Sequence, residues 1–106
     1  MSRIAIIGGG AWGTGLAMVL GRKKTHAVRL WANEPDVCES ITKSHVNERF
    51  LPGFRLPESV QATDDLSNAL EGADLVVSVM PSQHCRSLFV RMAPNLRPET
   101  LFVSCT

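Results

Sequence analysis

Short apolar runs alternate with segments of helical period along this chain. Arg3 to Ile7, apolar and largely β-branched after the arginine, predicts a strand buried on both faces. The small and apolar residues from Ala11 to Gly21 predict a helix packed closely on that strand. Gly21 reads as its carboxyl-terminal stop, and Arg22, Lys23 and Lys24 stand where cations suit the helix dipole. Val28 to Trp31 reads as a second strand. Asn33 as cap and Pro35 in the first turn then predict a helix through Ser44. His45 to Ser59, which holds Pro52, Gly53 and Pro57, reads as an ordered loop. Val60 to Thr63 is a short third strand, and Asp64 is placed to cap a helix with Leu66, Ala69 and Leu70 facing inward. Leu75 to Met80, apolar except for Ser78, is the clearest strand of all. Pro81 breaks it, and Ser82 caps a helix that places Cys85, Leu88, Phe89 and Met92 at i, i+3, i+4 and i+7. Thr100 to Cys105 is a last strand.

Strands alternating with helices argue for a parallel sheet. Right-handed crossovers then give a doubly wound α/β fold of five strands in the order 3-2-1-4-5. Such sheets bind ligands beyond the carboxyl ends of the strands, where strand order reverses. Here that point lies between the first and fourth strands, beside Gly8 and Met80.

A length of 106 residues fits one domain with one core, residues 1–106. The formal net charge of +1 provides no long-range field to favour nucleic acid or an acidic membrane. Cys38, Cys85 and Cys105 lie far apart with no C-x-x-C pair, which reads as reduced thiols in a cytoplasmic protein. His26, His45 and His84 read as surface or structural groups, so no metal site is expected. Glycines interrupt the apolar stretch near the start, against a signal peptide, and no run is long enough to span a membrane.

Gly8-Gly9-Gly10-Ala11-Trp12-Gly13 fits G-x-G-x-x-G, directly after a buried strand and at the opening of a helix. In that context the pattern points to a Rossmann-like dinucleotide site. Gly8 lets the chain turn out of the strand, Gly10 lets the backbone approach a pyrophosphate, and Gly13 lets the helix sit tightly on the sheet. Unpaired N–H groups and the helix dipole then face the diphosphate. The end of the second strand, where the adenosine ribose is read, carries Trp31-Ala32-Asn33-Glu34. These residues suit either ribose contact or plain helix capping, and they leave NAD against NADP open. No clear 2′-phosphate arginine stands at the tip, although Arg55 is in reach from the long loop.

Several segments together resemble glycerol-3-phosphate dehydrogenase. These are Gly8 to Thr14, Leu30-Trp31, Asn47-Glu48-Arg49-Phe50-Leu51-Pro52-Gly53, Leu56-Pro57 and Met80-Pro81-Ser82-Gln83. The resemblance covers the whole chain, and its Phe-Leu-Pro-Gly loop is the most specific part. It implies hydride transfer between NAD(P)H and dihydroxyacetone phosphate, a small phosphorylated substrate, giving sn-glycerol 3-phosphate for phospholipid synthesis. By position it places Gly8, Gly10 and Gly13 at the pyrophosphate turn, Ala11 and Trp12 along the cofactor, and Asn33 near the adenosine ribose. Phe50 would close the adenine side, and Pro81 and His84 would border the nicotinamide-ribose end. Trp12 and Phe50 also fit a second reading, as packing anchors.

Two departures bear on these assignments. Bacterial members commonly carry Ser where Ala11 stands. The family also continues after its last strand with a catalytic lysine and an all-helical substrate domain, whereas this sequence ends at Thr106. No residue here is therefore assigned a catalytic role, and the isolated chain is expected to be inactive. Apolar positions such as Leu96 and Phe102 are expected to be left uncovered, which would allow a homodimer. Three other functions stay open: a reductase of a 3-hydroxy acid or ketopantoate, a non-catalytic nucleotide-binding module, and a flavodoxin-like domain whose glycine loop is only a tight turn.

Overall fold

The first strand, β1 (Ser2–Ile7), sends Ile4 and Ile6 into one core cluster and Ala5 and Ile7 into another. That period-two split is what a strand covered on both faces requires. A computed structural model describes residues 2–22, 26–79, 87–88, 90–96 and 100–104. After β1 come α1 (Ala11–Gly21), β2 (His26–Trp31), α2 (Pro35–Ser44), β3 (Val46–Asn47) and β4 (Leu51–Arg55). They are followed by β5 (Val60–Thr63), α3 (Leu66–Leu70), β6 (Leu75–Ser78) and β7 (Leu101–Ser104). Residues 87–88 and 90–92 are helical, and Ala93–Asn95 form a 3-10 turn.

Five strands make one parallel sheet in the order β5-β2-β1-β6-β7. Counted within the sheet this is the expected 3-2-1-4-5, with the reversal between β1 and β6. On one face Ala17, Val37 and Ile41 bring α1 and α2 onto Ile6, Val28 and Leu30. On the other, Leu66, Ala69, Leu70, Leu88 and Met92 pack on Ala5, Ile7, Trp31 and Val76.

Four local expectations need correcting. The segment expected to be a loop contains a hairpin, β3 against β4, antiparallel with a register shift after Val46. Pro52 and Gly53 argue against a strand in general, but β4 is half of a two-stranded ribbon and has an edge free of a ladder. Second, α2 begins one residue later than Asn33 suggested, with Glu34 as its cap and no side-chain cap bond. A residue before proline is held extended, and extended is the conformation a cap adopts, so Pro35 puts the cap on Glu34. Third, α3 is capped by Asp65, whose carboxylate accepts from the N–H groups of Ser67 and Asn68. The Asp64 carbonyl is already engaged by Trp31 Nε1 at 3.0 Å. Fourth, Gly21 ends α1 as expected, but without the positive φ of a glycine cap. A Cβ there would lie 2.6 Å from Val60 Cγ2, so the glycine serves close packing of α1 on the turn into β5. The expected positions of Met80, Ser82, Cys85, Phe89 and Cys105 lie outside the described residues.

Candidate functional site

The carboxyl end of β1 turns into α1 through three consecutive glycines, Gly8 to Gly10, with Gly13 in the first turn of the helix, and the surroundings of Gly8, Gly13 and Gly10 differ. Gly8 has φ +133°, in the region that favours glycine, and its N–H donates to the Trp31 carbonyl at 2.9 Å. Gly13 sits so close to this turn that a Cβ would stand 1.8 Å from the Gly8 carbonyl oxygen. At Gly10 a Cβ would meet nothing within 4 Å among the described residues. The loop is thus closed toward the sheet and open on its outer side.

Gly10 is also the cap of α1, with no side-chain cap bond and no acidic residue in the first turn. The first N–H groups of a helix lack intrahelical acceptors and carry the positive end of its dipole. An anion seated beyond Gly10 would meet both. Ala11 and Trp12 are exposed beside it, Trp12 at 83%, and with Leu16 and Val19 they line an apolar groove along α1. Trp12 is therefore no packing anchor within this chain.

At the tip of β2, Ala32 is buried and its N–H donates to the Thr63 carbonyl at 3.0 Å. Asn33 is exposed and Glu34 half-buried. Cys38 lies under this tip, with Sγ donating to the Ala32 carbonyl at 3.5 Å. Burial pushes its thiol pKa up, and the nearby carboxylate of Asp64 adds to the shift.

The hairpin approaches from the side. Phe50 is half-buried against the first core cluster, and the Arg49 guanidinium lies 5.0 Å from its ring centroid. Arg49 Nη1 reaches Asp36 Oδ1 at 3.3 Å, in the first turn of α2 and close to the β2 tip. Arg55, the cation suggested for that tip, pairs instead with Glu58 at 3.1 Å. Glu58 also meets His45, the left-handed cap at the far end of α2. A ten-residue helix is about 15 Å long, so Arg55 is at the wrong end and Arg49 at the right one.

Asn47, which the sequence marks only as the first residue of the Asn-Glu-Arg-Phe-Leu-Pro-Gly segment, is a completely buried amide. Its Nδ2 donates to the Gly9 carbonyl and to Thr14 Oγ1, both at 2.8 Å. Its Oδ1 accepts the Phe50 N–H at 3.1 Å. The signal available was an Asn at the start of a tight turn, a position where its side chain commonly bonds local backbone. Gly8, Gly10, Ala11, Trp12 and Gly13 thus share one turn, with Asn33 at the neighbouring strand tip and Phe50 tied in through Asn47. Pro81 and His84 lie outside the described residues. Among the described residues no three His, Cys, Asp or Glu side chains are grouped to hold a metal, and no helix is long and apolar enough to cross a membrane.

Residues 3–106 match the family described as NAD-dependent glycerol-3-phosphate dehydrogenase N-terminus. Glycerol-3-phosphate dehydrogenase [NAD(P)+] of Koribacter versatilis is 56% identical over 106 residues, all of this chain and 32% of that protein. The crystal structure of glycerol-3-phosphate dehydrogenase from Coxiella burnetii superposes with a TM-score of 0.90 at 39% identity, over 97% of this chain and 31% of that one. The enzyme from Saccharomyces cerevisiae also gives 0.90, at 26% identity, over 98% of this chain and 33% of that one. The chain therefore spans about a third of the length of its relatives. With its family matched almost end to end and its sheet and glycine turn in place, the chain belongs to the amino-terminal domain family of NAD-dependent glycerol-3-phosphate dehydrogenase.

Proposed function

We propose that this chain is the dinucleotide-binding domain of an enzyme that passes hydride between NAD(P)H and dihydroxyacetone phosphate, giving sn-glycerol 3-phosphate for phospholipid synthesis. The observation that carries the reading is the amino end of α1. Among the described residues no side chain caps it, its first turn holds no acidic residue, and a Cβ at Gly10 meets nothing within 4 Å. That is a place for a diphosphate. Gly8, Gly10 and Gly13 shape the pyrophosphate turn, Ala11 and Trp12 flank the cofactor, Asn33 meets the adenosine ribose, and Phe50 bounds the adenine. The roles of Pro81 and His84 at the nicotinamide-ribose end rest on family resemblance alone. When bound, the nicotinamide supplies or accepts the hydride.

Residues 1–106 form the cofactor domain in this reading, and the substrate groups belong to the remainder of a protein about three times as long. By itself the chain binds cofactor weakly and does not reduce dihydroxyacetone phosphate. A cytoplasmic site of action suits the reaction and the thiols. Dimerisation is also part of the reading, but its surface differs from the one expected. Leu96 and Phe102 are half-buried against the second core cluster. Leu101 and Val103, on the edge strand β7, are 63% and 39% exposed. A strictly monomeric species in sedimentation at high concentration would remove the dimer from the proposal.

Calorimetric titration with NADH and, separately, NADPH tests the core of it. Saturable binding that Gly10→Val abolishes supports the cradle, because a Cβ there meets no atom of the described residues within 4 Å and points to where the ligand would lie. No binding to either coenzyme, or binding indifferent to Gly10→Val, would sink it.

A further inference from the structure

We propose that Asn47 is a positioning residue that aims the Gly10 N–H at the cofactor diphosphate, an inference that rests on the dinucleotide reading above. Its side chain is fully buried and all its polar atoms are engaged. A buried amide is costly unless so satisfied. Its bonds run to two segments only: the glycine turn, through the Gly9 carbonyl and Thr14, and the hairpin turn, through the Phe50 N–H. The Thr14 hydroxyl accepts from Asn47 and sends its own proton to the same Gly9 carbonyl at 3.4 Å.

Two donors therefore hold one carbonyl inward. The Gly9 carbonyl and the Gly10 N–H belong to a single planar trans peptide, in which they point in opposite directions. Fixing the oxygen toward Asn47 turns the Gly10 N–H away from the protein, to the side where Gly10 is open. Glycines resist peptide rotation poorly. Without the two donors the 9–10 peptide is free to flip, which would offer the diphosphate a carbonyl oxygen instead of a donor. The same amide links the Phe50 turn to the pyrophosphate turn, so the two ends of the adenosine half are set by one side chain.

The experiment uses the full-length enzyme that carries this chain, with steady-state kinetics in NADH and NADPH. For Asn47→Ala the cofactor KM is expected to rise about tenfold, the equivalent of one buried hydrogen bond worth roughly 1.4 kcal/mol. The KM for dihydroxyacetone phosphate and kcat at saturating cofactor should stay within about twofold. Asn47→Asp should shift cofactor KM the same way, since it keeps an acceptor for the Phe50 N–H but turns an acceptor on the Gly9 carbonyl. Thr14→Ser should match the wild type, whereas Thr14→Val should raise cofactor KM. A fall in kcat that tracks the folded fraction, with both KM values unchanged, would overturn the assignment and leave Asn47 as a fold residue only. Should Asn47→Ala fail to fold, the Thr14 pair decides, and equal cofactor KM in both variants overturns the assignment. A wild-type enzyme that uses neither coenzyme would sink the dinucleotide reading itself. A normal wild type with indifferent variants would sink only the role of Asn47.

Discussion

Replacing Gly13 and Gly15 by alanine, one at a time, puts the same methyl group on the same helix in opposite surroundings. At position 13 the new carbon would stand 1.8 Å from the Gly8 carbonyl oxygen and 3.0 Å from its carbon. Carbon and oxygen normally approach no closer than about 3.3 Å, so α1 and the end of β1 must part by roughly 1.5 Å. Both obstructing atoms are backbone, and no rotamer change relieves the clash. Overpacking of this kind costs about 1–3 kcal/mol or more, and the better helix propensity of alanine returns about 1 kcal/mol. With both obstructing atoms on the backbone the cost lies at the upper end of that range, and the resulting net loss of about 2 kcal/mol would lower Tm by roughly 8–16 °C for a domain of this size. At position 15 a Cβ meets nothing within 4 Å. There alanine contributes its propensity unopposed, about 0.8–1 kcal/mol, and Tm should rise by roughly 3–8 °C. Thermal unfolding followed by circular dichroism reads both variants in one series. If Gly13→Ala melts at or above the wild type, or Gly15→Ala melts below it, close approach is not what demands glycine at position 13.

Arg49→Ala should lower kcat/KM for NADPH more than for NADH in the full-length enzyme, because Arg49 stands at the first turn of α2 beside the β2 tip, where the proposed site would meet the adenosine ribose. An unchanged ratio would discard it as a 2′-phosphate contact. Asp65→Ala removes the acceptor for two N–H groups of α3 and should cost about 1 kcal/mol in urea denaturation. A loss under a few tenths would show that packing of Leu66 and Leu70 alone holds the helix. With its pKa raised by burial, Cys38 should be alkylated near neutral pH more slowly than a free thiol. The fold favours the protonated thiol, so this contribution to stability is fully present below the ordinary thiol range and is lost as pH rises from there through the raised pKa of the folded state. Peptide mapping by mass spectrometry after timed iodoacetamide exposure would contradict the burial if Cys38 reacted as fast in the native chain as in urea.

What could be read from the sequence was whatever repeats with a period or falls on one glycine. The five strands announced themselves by apolar runs, and their order followed from the handedness of crossovers. Gly8 and Gly13 could be given separate tasks from the sequence alone, and the positive φ of the first and the close approach at the second fit a sharp turn and tight helix packing. The cap positions failed by one residue each, for different reasons. Asn33 and Asp64 are good capping residues by type, but Pro35 fixes the cap at Glu34, a local effect that the proline itself signals. The Trp31 indole occupies the Asp64 carbonyl, and that competition is tertiary and leaves no mark on a propensity scale. Asn47 escaped for the same reason, since a buried amide and an exposed one are spelled alike. Arg49 and Arg55 both stand in one short stretch, and only the hairpin shows which reaches the start of α2 and which its end.

The place of β1 in the sheet has a consequence for how the protein is made. One neighbour, β2, follows it closely in the chain, but the other, β6, begins after a long interval, as the 71-position gap from the Arg3 N–H to the Asp74 carboxylate shows. Ribosomes add roughly 5–20 residues per second, so an emerging β1 waits several seconds for its second partner. During that wait a strand with four consecutive apolar residues, Ile4 to Ile7, has an open backbone edge, the kind of template on which chains pair with one another. A chaperone that shields short extended apolar segments would find its target in Ile4 to Ile7, and slowing translation before residue 75 should increase aggregation.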